Sequence, residues 1–269
     1  MGATICPMGA KDWRDALALW AIPQHILDQA PEPPWGFAPE VFVAGAREAL
    51  TQPTTPTHRR MVEALPDGGA LLDVGAGAGA ASLPVAGGAA RLAAVDESAA
   101  MLDRMAELAA EVAPQVALTR VEGRWPDVAS QAGVADVVVC AHVAYNVADL
   151  APFVLALTEA ARVRVVLELT AVHPQAALTP LWRHFWDLER PTGPTAADAL
   201  DVVRDVVGRA VADESWTRPG LWSGDIGWLR RRLCLGPDRD AEVAQLLEQH
   251  SDPAVEVVTA WWPGGALDH

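Results

Sequence analysis

Basic residues are scarce in this chain. Its 269 residues include 20 lysines and arginines against 35 aspartates and glutamates, a formal net charge of −15 at pH 7. A protein that binds nucleic acid needs cationic groups to displace counterions from phosphates, so we expect neither DNA nor RNA as a partner. The densest basic group is Arg230, Arg231 and Arg232, and the leucines around it favour a solvated helix face over an anion site.

Cysteine is rarer still. Cys6, Cys140 and Cys234 lie far apart and show neither CxxC nor Cys/His spacing, so we expect no disulfide framework and no metal site. No run of about 18 residues is free of polar breaks, and residues 1–11 are too short and too polar for a secretory signal. These absences predict a cytoplasmic protein without a membrane partner.

Apolar residues, in contrast, are abundant. Hydrophobic residues make up 51% of the chain and charged residues 20%, which is enough for a large core and argues against disorder. Residues 1–64 predict helices that are interrupted by a proline-rich turn at residues 31–34, with no strand. From the turn at residues 66–69 onward, short apolar runs alternate with helical stretches.

This alternation predicts a parallel sheet covered on both faces. Five strand-like runs are expected at residues 70–74, 91–95, 116–121, 135–140 and 163–169. The helical patterns between them lie at residues 80–86, 98–112 and 150–161. The last third predicts helices at 175–189 and 195–207, two more between 225 and 249, and strands at 210–218 and 255–262. We expect the last two strands to pair without a crossover connection, which indicates an antiparallel edge on the sheet.

We therefore expect an α/β, doubly wound, mostly parallel seven-stranded sheet with an antiparallel C-terminal edge and an N-terminal helical cap. The predicted domains are the cap at residues 1–64 and a Rossmann-like domain at residues 65–269. Within that domain, residues 65–170 form the cofactor half. Residues 171–269 supply the substrate-side helices and the last two strands.

A glycine loop follows the first predicted strand. Gly75, Gly77 and Gly79 alternate with alanines, which lets the backbone turn sharply and approach a ligand without an intervening Cβ. Gly75, Gly77 and Ala80 also fit the dinucleotide pattern G-x-G-x-x-G/A. Glycine spacing alone leaves two cofactors open.

Two carboxylates favour one of them. Asp73 begins the loop, where it would repel a pyrophosphate and attract the ammonium group of an amino acid such as the methionine moiety of S-adenosylmethionine. Asp96 ends the second strand, where a carboxylate accepts hydrogen bonds from both ribose hydroxyls. Loss of such a charge-assisted contact costs about 1.5 to 3 kcal/mol.

The segments 71–79 and 95–102 together resemble motif I and its acidic successor in class I S-adenosylmethionine-dependent methyltransferases. By that resemblance the three glycines line the methionine part, Asp96 binds the ribose, and Glu97 and Met101 lie against the adenosine. Residues 122–127 would wrap the adenine, with backbone contacts from Arg124 and Trp125, since Arg124 stands where an acidic residue is common. The expected cofactor residues are Asp73, Gly75, Ala76, Gly77, Gly79, Asp96, Glu97, Met101, Arg124, Trp125, Ala141 and His142.

Methyl transfer from a sulfonium needs alignment and exclusion of water, and a base only where the acceptor must lose a proton. The fourth strand runs into Ala141, His142 and Tyr145 at the end of the sheet that faces the ligand crevice. His142 is a candidate base and Tyr145 a candidate for orienting the acceptor. The alternative for His142 is a hydrogen-bonded crevice residue that touches only the cofactor.

Two further candidates follow the fifth strand. Glu168 and His173 are candidates of lower priority, and His173 is also expected simply to start the next helix. Tryptophan is concentrated outside residues 66–175. These side chains either form the wall of an acceptor pocket or pack in the core. The helical spacing of Trp182, Phe185, Trp186 and Glu189 favours core packing. Residues 35–37 resemble a mobile lid.

These observations predict an S-adenosylmethionine-dependent methyltransferase that acts on an oxygen or nitrogen atom of a small, aromatic or apolar acceptor. The alternatives are an NAD-dependent oxidoreductase and a methyltransferase-like protein that binds the cofactor without transferring a methyl group. The oligomeric state is not predicted.

Overall fold

One mixed sheet organises the chain. The computed structural model describes residues 7–35, 39–52, 54–219, 225–249 and 254–265. Its strands are β1 (Gly69–Val74), β2 (Ala89–Asp96), β3 (Ala117–Glu122), β4 (Ala135–Ala141), β5 (Ala161–Thr170), β6 (Ala212–Arg218) and β7 (Val255–Pro263). The strand order is β3-β2-β1-β4-β5-β7-β6, with β7 antiparallel to both of its neighbours and the other pairs parallel. The predicted seven-stranded sheet with an antiparallel C-terminal edge is confirmed.

Helices cover both faces of this sheet. The α-helices of the described residues are α1 (Ala10–Ala18), α2 (Gln24–Leu27), α3 (Pro39–Thr51), α4 (Pro56–Val62), α5 (Ala99–Val112), α6 (Ala129–Ala132), α7 (Leu150–Ala160), α8 (Thr179–Trp186), α9 (Ala196–Val207), α10 (Ile226–Arg232) and α11 (Asp240–Gln249). Side-chain caps define several of their starts. Ser98 accepts from the backbone N–H of Met101 at the start of α5, and Thr195 and Asp198 form a reciprocal capping box before α9.

Two helix predictions were wrong in detail. The helix expected at residues 80–86 is a short 3-10 helix at Leu83–Gly88, because Pro84 and the paired glycines leave too little chain for α-helical turns before β2. The helix expected at 175–189 is divided into a 3-10 turn at Pro174–Leu178 and the shorter α8, which ends at Asp187 in the left-handed conformation.

Three hydrophobic cores hold these layers together. Helices α1, α7 and α9 pack on one face of the sheet, and α3, α4 and α5 pack on the other. A third cluster joins α2 with α8, α10 and α11 through apolar residues such as Ile26, Trp182 and Leu229. The helices of the predicted cap thus contribute to all three cores. The domain boundary at residues 64 and 65 stays a prediction.

The basic group at the end of α10 forms structural cross-links. Arg230 lies 2.9 Å from Asp240 and 3.5 Å from Glu32, and Arg232 donates to the carbonyl of Pro34 at 3.1 Å. Both side chains are partly buried. The expectation of a solvated face was therefore wrong, because these guanidinium groups tie the N-terminal segment to the C-terminal helices.

Half of the described tryptophans are buried in the interior. Trp182 is fully buried, and Phe185 and Trp186 pack partly against the third core, while Glu189 is at the surface and pairs with Arg183. The other buried tryptophans are Trp13, Trp20, Trp125 and Trp262. Trp35, in contrast, is 51% exposed. The remainder of the predicted lid, residues 36 and 37, lies outside the described residues.

Two further features are absent from the described part of the chain. None of its helices has both the length and the apolar composition that crossing a bilayer requires. Over the same residues, no three or more histidine, cysteine, aspartate or glutamate side chains converge as a metal site would require.

Candidate active site

The glycine loop leaves β1 in a conformation that requires glycine. Gly75, Gly77 and Gly79 have φ values of +72°, +53° and +89°. The N–H groups of Gly75 and Ala76 both donate to the carbonyl of Val95, at 2.8 and 3.0 Å. A Cβ on Gly75 would lie 2.2 Å from Cγ2 of Val143. The loop therefore packs directly against the segment after β4, with no room for a side chain.

Asp96 is fixed beside this loop. Its Oδ2 accepts from the N–H of Gly77 at 2.8 Å, and its Oδ1 accepts from the N–H of Ser98 at 2.9 Å. Each carboxylate oxygen has two acceptor positions, so both oxygens keep capacity for further donors. The arrangement can therefore accept two ligand hydroxyl groups without any rearrangement of Asp96.

A pocket of about 430 Å³ opens beside Asp96. This volume lies in the range of small-molecule sites. The predicted residues in its wall are Gly75, Asp96, Glu97, Arg124 and Trp125. Gly123, Pro126 and Asp127 also line it and belong to the segment 122–127 that was expected around the adenine. Sequence reasoning gave no individual role to the other lining residues, which are Val74, Val95, Val143, Asn146, Val147, Asp149, Pro152 and Phe153.

The remaining predicted cofactor residues do not line this pocket. They are Asp73, Ala76, Gly77, Gly79, Met101, Ala141 and His142. Gly77 and Gly79 continue the loop, whereas Met101 is buried in the first turn of α5. Glu97 and Arg124 face each other at 3.8 Å with largely exposed side chains, so this ion pair contributes little to stability.

Asp73 lies below the loop and is only 1% exposed. It was expected inside the loop but is part of β1. Burial raises its pKa to about 7, with a smaller contribution from Asp96, although the nearby Ser82 hydroxyl acts in the opposite direction. Its Oδ2 forms no hydrogen bond with any described residue. A cationic group near the loop would satisfy this oxygen and favour the ionised form.

His142 follows directly after β4 in an unusual conformation. Its φ is +60°, a left-handed value that is uncommon for residues other than glycine and is frequent at functional sites. Its backbone N–H donates to the carbonyl of Glu168 at 2.8 Å. Its Nε2 lies 2.8 Å from Oε1 of the same residue, and the imidazole remains partly exposed. Backbone and side chain together thus fix His142 on β5.

Glu168 is the buried partner in this pair. Burial alone would raise its pKa, but His142, the Thr57 hydroxyl and the Arg218 guanidinium outweigh burial and hold the pKa at about 2. The carboxylate is therefore ionised at neutral pH. A histidine that is held by an ionised carboxylate is the arrangement of a general base, because the carboxylate stabilises the imidazolium that forms.

The structure does not bring Tyr145 into this arrangement. Its hydroxyl donates to the backbone carbonyl of Thr170 at 2.9 Å, and burial raises its pKa. The ring stacks on Trp13 and meets His173 edge to face. We expected Tyr145 to orient the acceptor, but the 3-10 turn at Ala144–Asn146 directs it into the core.

His173 also has a structural role. It stacks on Trp20 with ring centroids 3.9 Å apart. Its Nδ1 accepts from the N–H of Gln175 and so caps the 3-10 turn at Pro174–Leu178. Burial and then the Arg190 charge lower its pKa to about 4, so it is neutral at physiological pH. Its simpler predicted role, as the start of the next helical segment, agrees with this geometry.

Comparisons with known proteins show the domain and the fold that carry this site. Residues 71–164 match the family model described as the methyltransferase domain. No curated protein sequence matches the chain. The YcgJ protein of Bacillus subtilis is similar in structure, with a TM-score of 0.52, 16% identity, and coverage of 82% of this chain and 100% of its own. Magnesium protoporphyrin IX methyltransferase of Synechocystis, solved with S-adenosylhomocysteine, has a TM-score of 0.50 and 13% identity over 91% of this chain and 90% of its own.

Low identity limits those structural similarities to the fold itself. The fold is nevertheless specific, because the antiparallel β7 between β5 and β6 distinguishes it from an all-parallel dinucleotide-binding sheet. Together with the match of residues 71–164 to a methyltransferase domain, this fold supports an S-adenosylmethionine-dependent methyltransferase with S-adenosylmethionine as its cofactor. The ambiguity that glycine spacing left open is thereby resolved.

The site fits this cofactor by its own chemistry. The glycine loop borders the pocket at Gly75, and Asp96 is prepared to accept two hydroxyl groups. The unsatisfied Oδ2 of Asp73 suits an ammonium group. Three separate features therefore match the methionine and ribose parts of one ligand.

Proposed function

We propose that the chain methylates a hydroxyl oxygen of a small-molecule acceptor, with His142 as the general base. The observation that carries this proposal is the pairing of His142 with the ionised, buried Glu168 at the crevice end of the sheet. An uncharged amine attacks through its lone pair without prior loss of a proton, whereas an alcohol or phenol gains from a base. The pair therefore favours oxygen over nitrogen.

S-adenosylmethionine supplies a methyl group that is already activated on a sulfonium sulfur. In the proposed reaction the acceptor oxygen forms a bond to the methyl carbon while the bond between sulfur and that carbon breaks. The hydroxyl proton passes to the ring nitrogen of His142 that does not face Glu168. The Glu168 carboxylate then stabilises the resulting imidazolium.

For the cofactor we propose that Asp96 binds the ribose and that the loop from Gly75 to Gly79 contacts the methionine part. Trp125 and Phe153 supply apolar wall for the adenine, because both line the same pocket. Asp127 also lines it and is a candidate for the acid that Arg124 replaces in the usual pattern. These assignments rest on the pocket geometry together with the resemblance of the loop.

The proposal is tested with purified protein, methyl-labelled S-adenosylmethionine and a panel of small phenols, alcohols, carboxylic acids and amines. We expect formation of S-adenosylhomocysteine with at least one phenol or alcohol. Transfer to amines alone would contradict the proposed role of His142. Cofactor binding without transfer to any panel member would favour the alternative of a protein that binds the cofactor only.

Asp73 gives a pH-dependent prediction for cofactor binding. Because its pKa is about 7 in the cofactor-free protein, the carboxyl group is mostly protonated at pH 5.5, and only the ionised form attracts an ammonium group. We expect the affinity for S-adenosylmethionine to rise by about tenfold between pH 5.5 and pH 7. Calorimetric titration across this range measures the change.

Asp73→Asn is the matched variant for this prediction. It keeps the size of the side chain but removes the titration, so its affinity should be lower and nearly independent of pH. Asp96→Asn is the control. It should weaken binding by about tenfold to a hundredfold and retain a pH dependence. This dependence should be displaced to lower pH, because the Asp96 charge helps to raise the pKa of Asp73. An unchanged slope in Asp73→Asn would contradict the assignment.

A further inference from the structure

A chain of hydrogen bonds reaches Glu168 in β5 from the edge strand β6. Thr57 of α4 donates to Oε2 of Glu168, and its Oγ1 lies 2.7 Å from Oγ1 of Thr259 in β7. Nε1 of Trp216 in the edge strand β6 donates to that Thr259 hydroxyl at 3.0 Å. Glu168 meets His142 at its other oxygen. Four side chains from four elements, together with His142 after β4, thus form one connected path.

The direction of every proton in this path follows from chemistry. An indole N–H can only donate, and an ionised carboxylate can only accept. Since Thr57 uses its single proton on Glu168, the proton between the two threonines must belong to Thr259. The Thr259 oxygen then accepts from Trp216. All donors therefore point toward Glu168, and Oε2 is satisfied without His142.

The same rule applies on the other side of Glu168. Its Oε1 accepts from His142, so Nε2 of His142 carries a proton. In the neutral ring, Nδ1 is then the unprotonated nitrogen. Among the described residues none forms a hydrogen bond with Nδ1, so its lone pair is available to an acceptor hydroxyl.

We infer that Trp216, Thr259 and Thr57 are positioning residues that hold Glu168 ionised and thereby fix the Nδ1-unprotonated tautomer of His142. This inference deepens the proposed function and rests on it for its catalytic meaning. It also gives a role to elements outside the glycine-loop half of the domain. Helix α4 and the edge strand β6 contribute to the base as well as to the cover of the sheet.

Other charged groups near Glu168 do not replace this chain. Arg218 of β6 lies close enough to lower the pKa of Glu168, but no hydrogen bond or ion pair between them is formed within the described ranges. His58 of α4 is buried, and burial lowers its pKa. Its Nδ1 accepts from the N–H of Thr55 at 3.3 Å and its ring also bonds the carbonyl of Ala80. His58 is therefore neutral and engaged elsewhere.

The test is the tautomer of His142 in the full chain without acceptor. Protonated and unprotonated imidazole nitrogens differ widely in ¹⁵N chemical shift, and loss of one signal in His142→Gln identifies the residue among the 7 histidines. We expect the wild-type protein to show a protonated Nε2 and an unprotonated Nδ1. Thr57→Val should mix the two tautomers, and Thr57→Ser should restore the wild-type pattern.

Activity gives a second readout. On the best acceptor of the panel, Thr57→Val should lower kcat by about tenfold to a hundredfold with little change in KM for S-adenosylmethionine, because it removes a hydrogen bond to a charged group. Thr57→Ser should recover most of this loss. Thr259→Val removes the next hydroxyl and should act in the same direction to a smaller extent, so a folding defect of one variant leaves the other as a test.

Thr158→Val is the matched control. Thr158 is equally buried, and its hydroxyl accepts from Nε1 of Trp262 at 2.9 Å, but it is not connected to Glu168. We expect this variant to keep the wild-type tautomer of His142. A Thr57→Val protein with wild-type ¹⁵N shifts, or the same change in Thr158→Val, would overturn the inference. If the wild-type protein shows the fixed tautomer but His142→Gln keeps full activity, the proposed function is rejected while the inference on the tautomer stands.

Discussion

Replacement of His142 by glutamine is expected to lower kcat by about 10²- to 10⁴-fold, the usual contribution of a positioned general base. Glutamine keeps hydrogen-bonding capacity toward Glu168 but accepts no proton at neutral pH. Because His142 does not line the pocket beside Asp96, binding of S-adenosylhomocysteine should change by no more than about twofold. Initial rates on the best panel acceptor and calorimetric titration measure the two effects separately.

Tyr145→Phe is the contrasting control for this result. The sequence suggested both residues for catalysis, but the Tyr145 hydroxyl bonds a backbone carbonyl in the core. We expect this variant to keep kcat within about threefold and to lose about 1 kcal/mol of stability, the usual net contribution of one hydrogen bond. A large loss of kcat in Tyr145→Phe with intact activity in His142→Gln would reverse the assignment.

Much of the fold was predictable because its determinants are local. The seven runs predicted as strands match β1 to β7 to within two residues at either end. The segment after the glycine loop was predicted wrongly, because alanine-rich composition favours a helix while Pro84 and the short distance to β2 prevent one. The secondary structure of a short connection depends more on the number of residues available than on their helix propensity.

The site was predictable only where the residues follow each other along the chain. The glycine loop and Asp96 lie in consecutive segments, and the structure places both at one pocket. Glu168 was a candidate of lower priority, and its partner Thr57 was not considered, because the two are 111 positions apart and only the packing of α4 on β5 joins them. No periodic pattern in the sequence predicts a contact between residues so far apart.

Gly75→Ala should be the most damaging single change in the cofactor half. The new Cβ would lie 2.2 Å from Cγ2 of Val143 and would hold an alanine at a φ of +72°. Overpacking costs about 1 to 3 kcal/mol and the left-handed backbone about 1 kcal/mol more. If the loop shifts to relieve this, affinity for S-adenosylhomocysteine should fall by about 30- to 1000-fold. Calorimetric titration measures the loss.

Two controls separate the contributions to that loss. Gly208→Ala places a Cβ at a φ of +58° with nothing within 4 Å, so it measures the backbone cost alone and should leave cofactor affinity unchanged. Gly75→Ala combined with Val143→Ala removes the clashing methyl group and leaves Val143 Cβ at 3.4 Å, an ordinary contact. The double variant should therefore recover most of the affinity. If it does not, the left-handed turn itself, rather than its contact with the segment after β4, shapes the methionine end of the site.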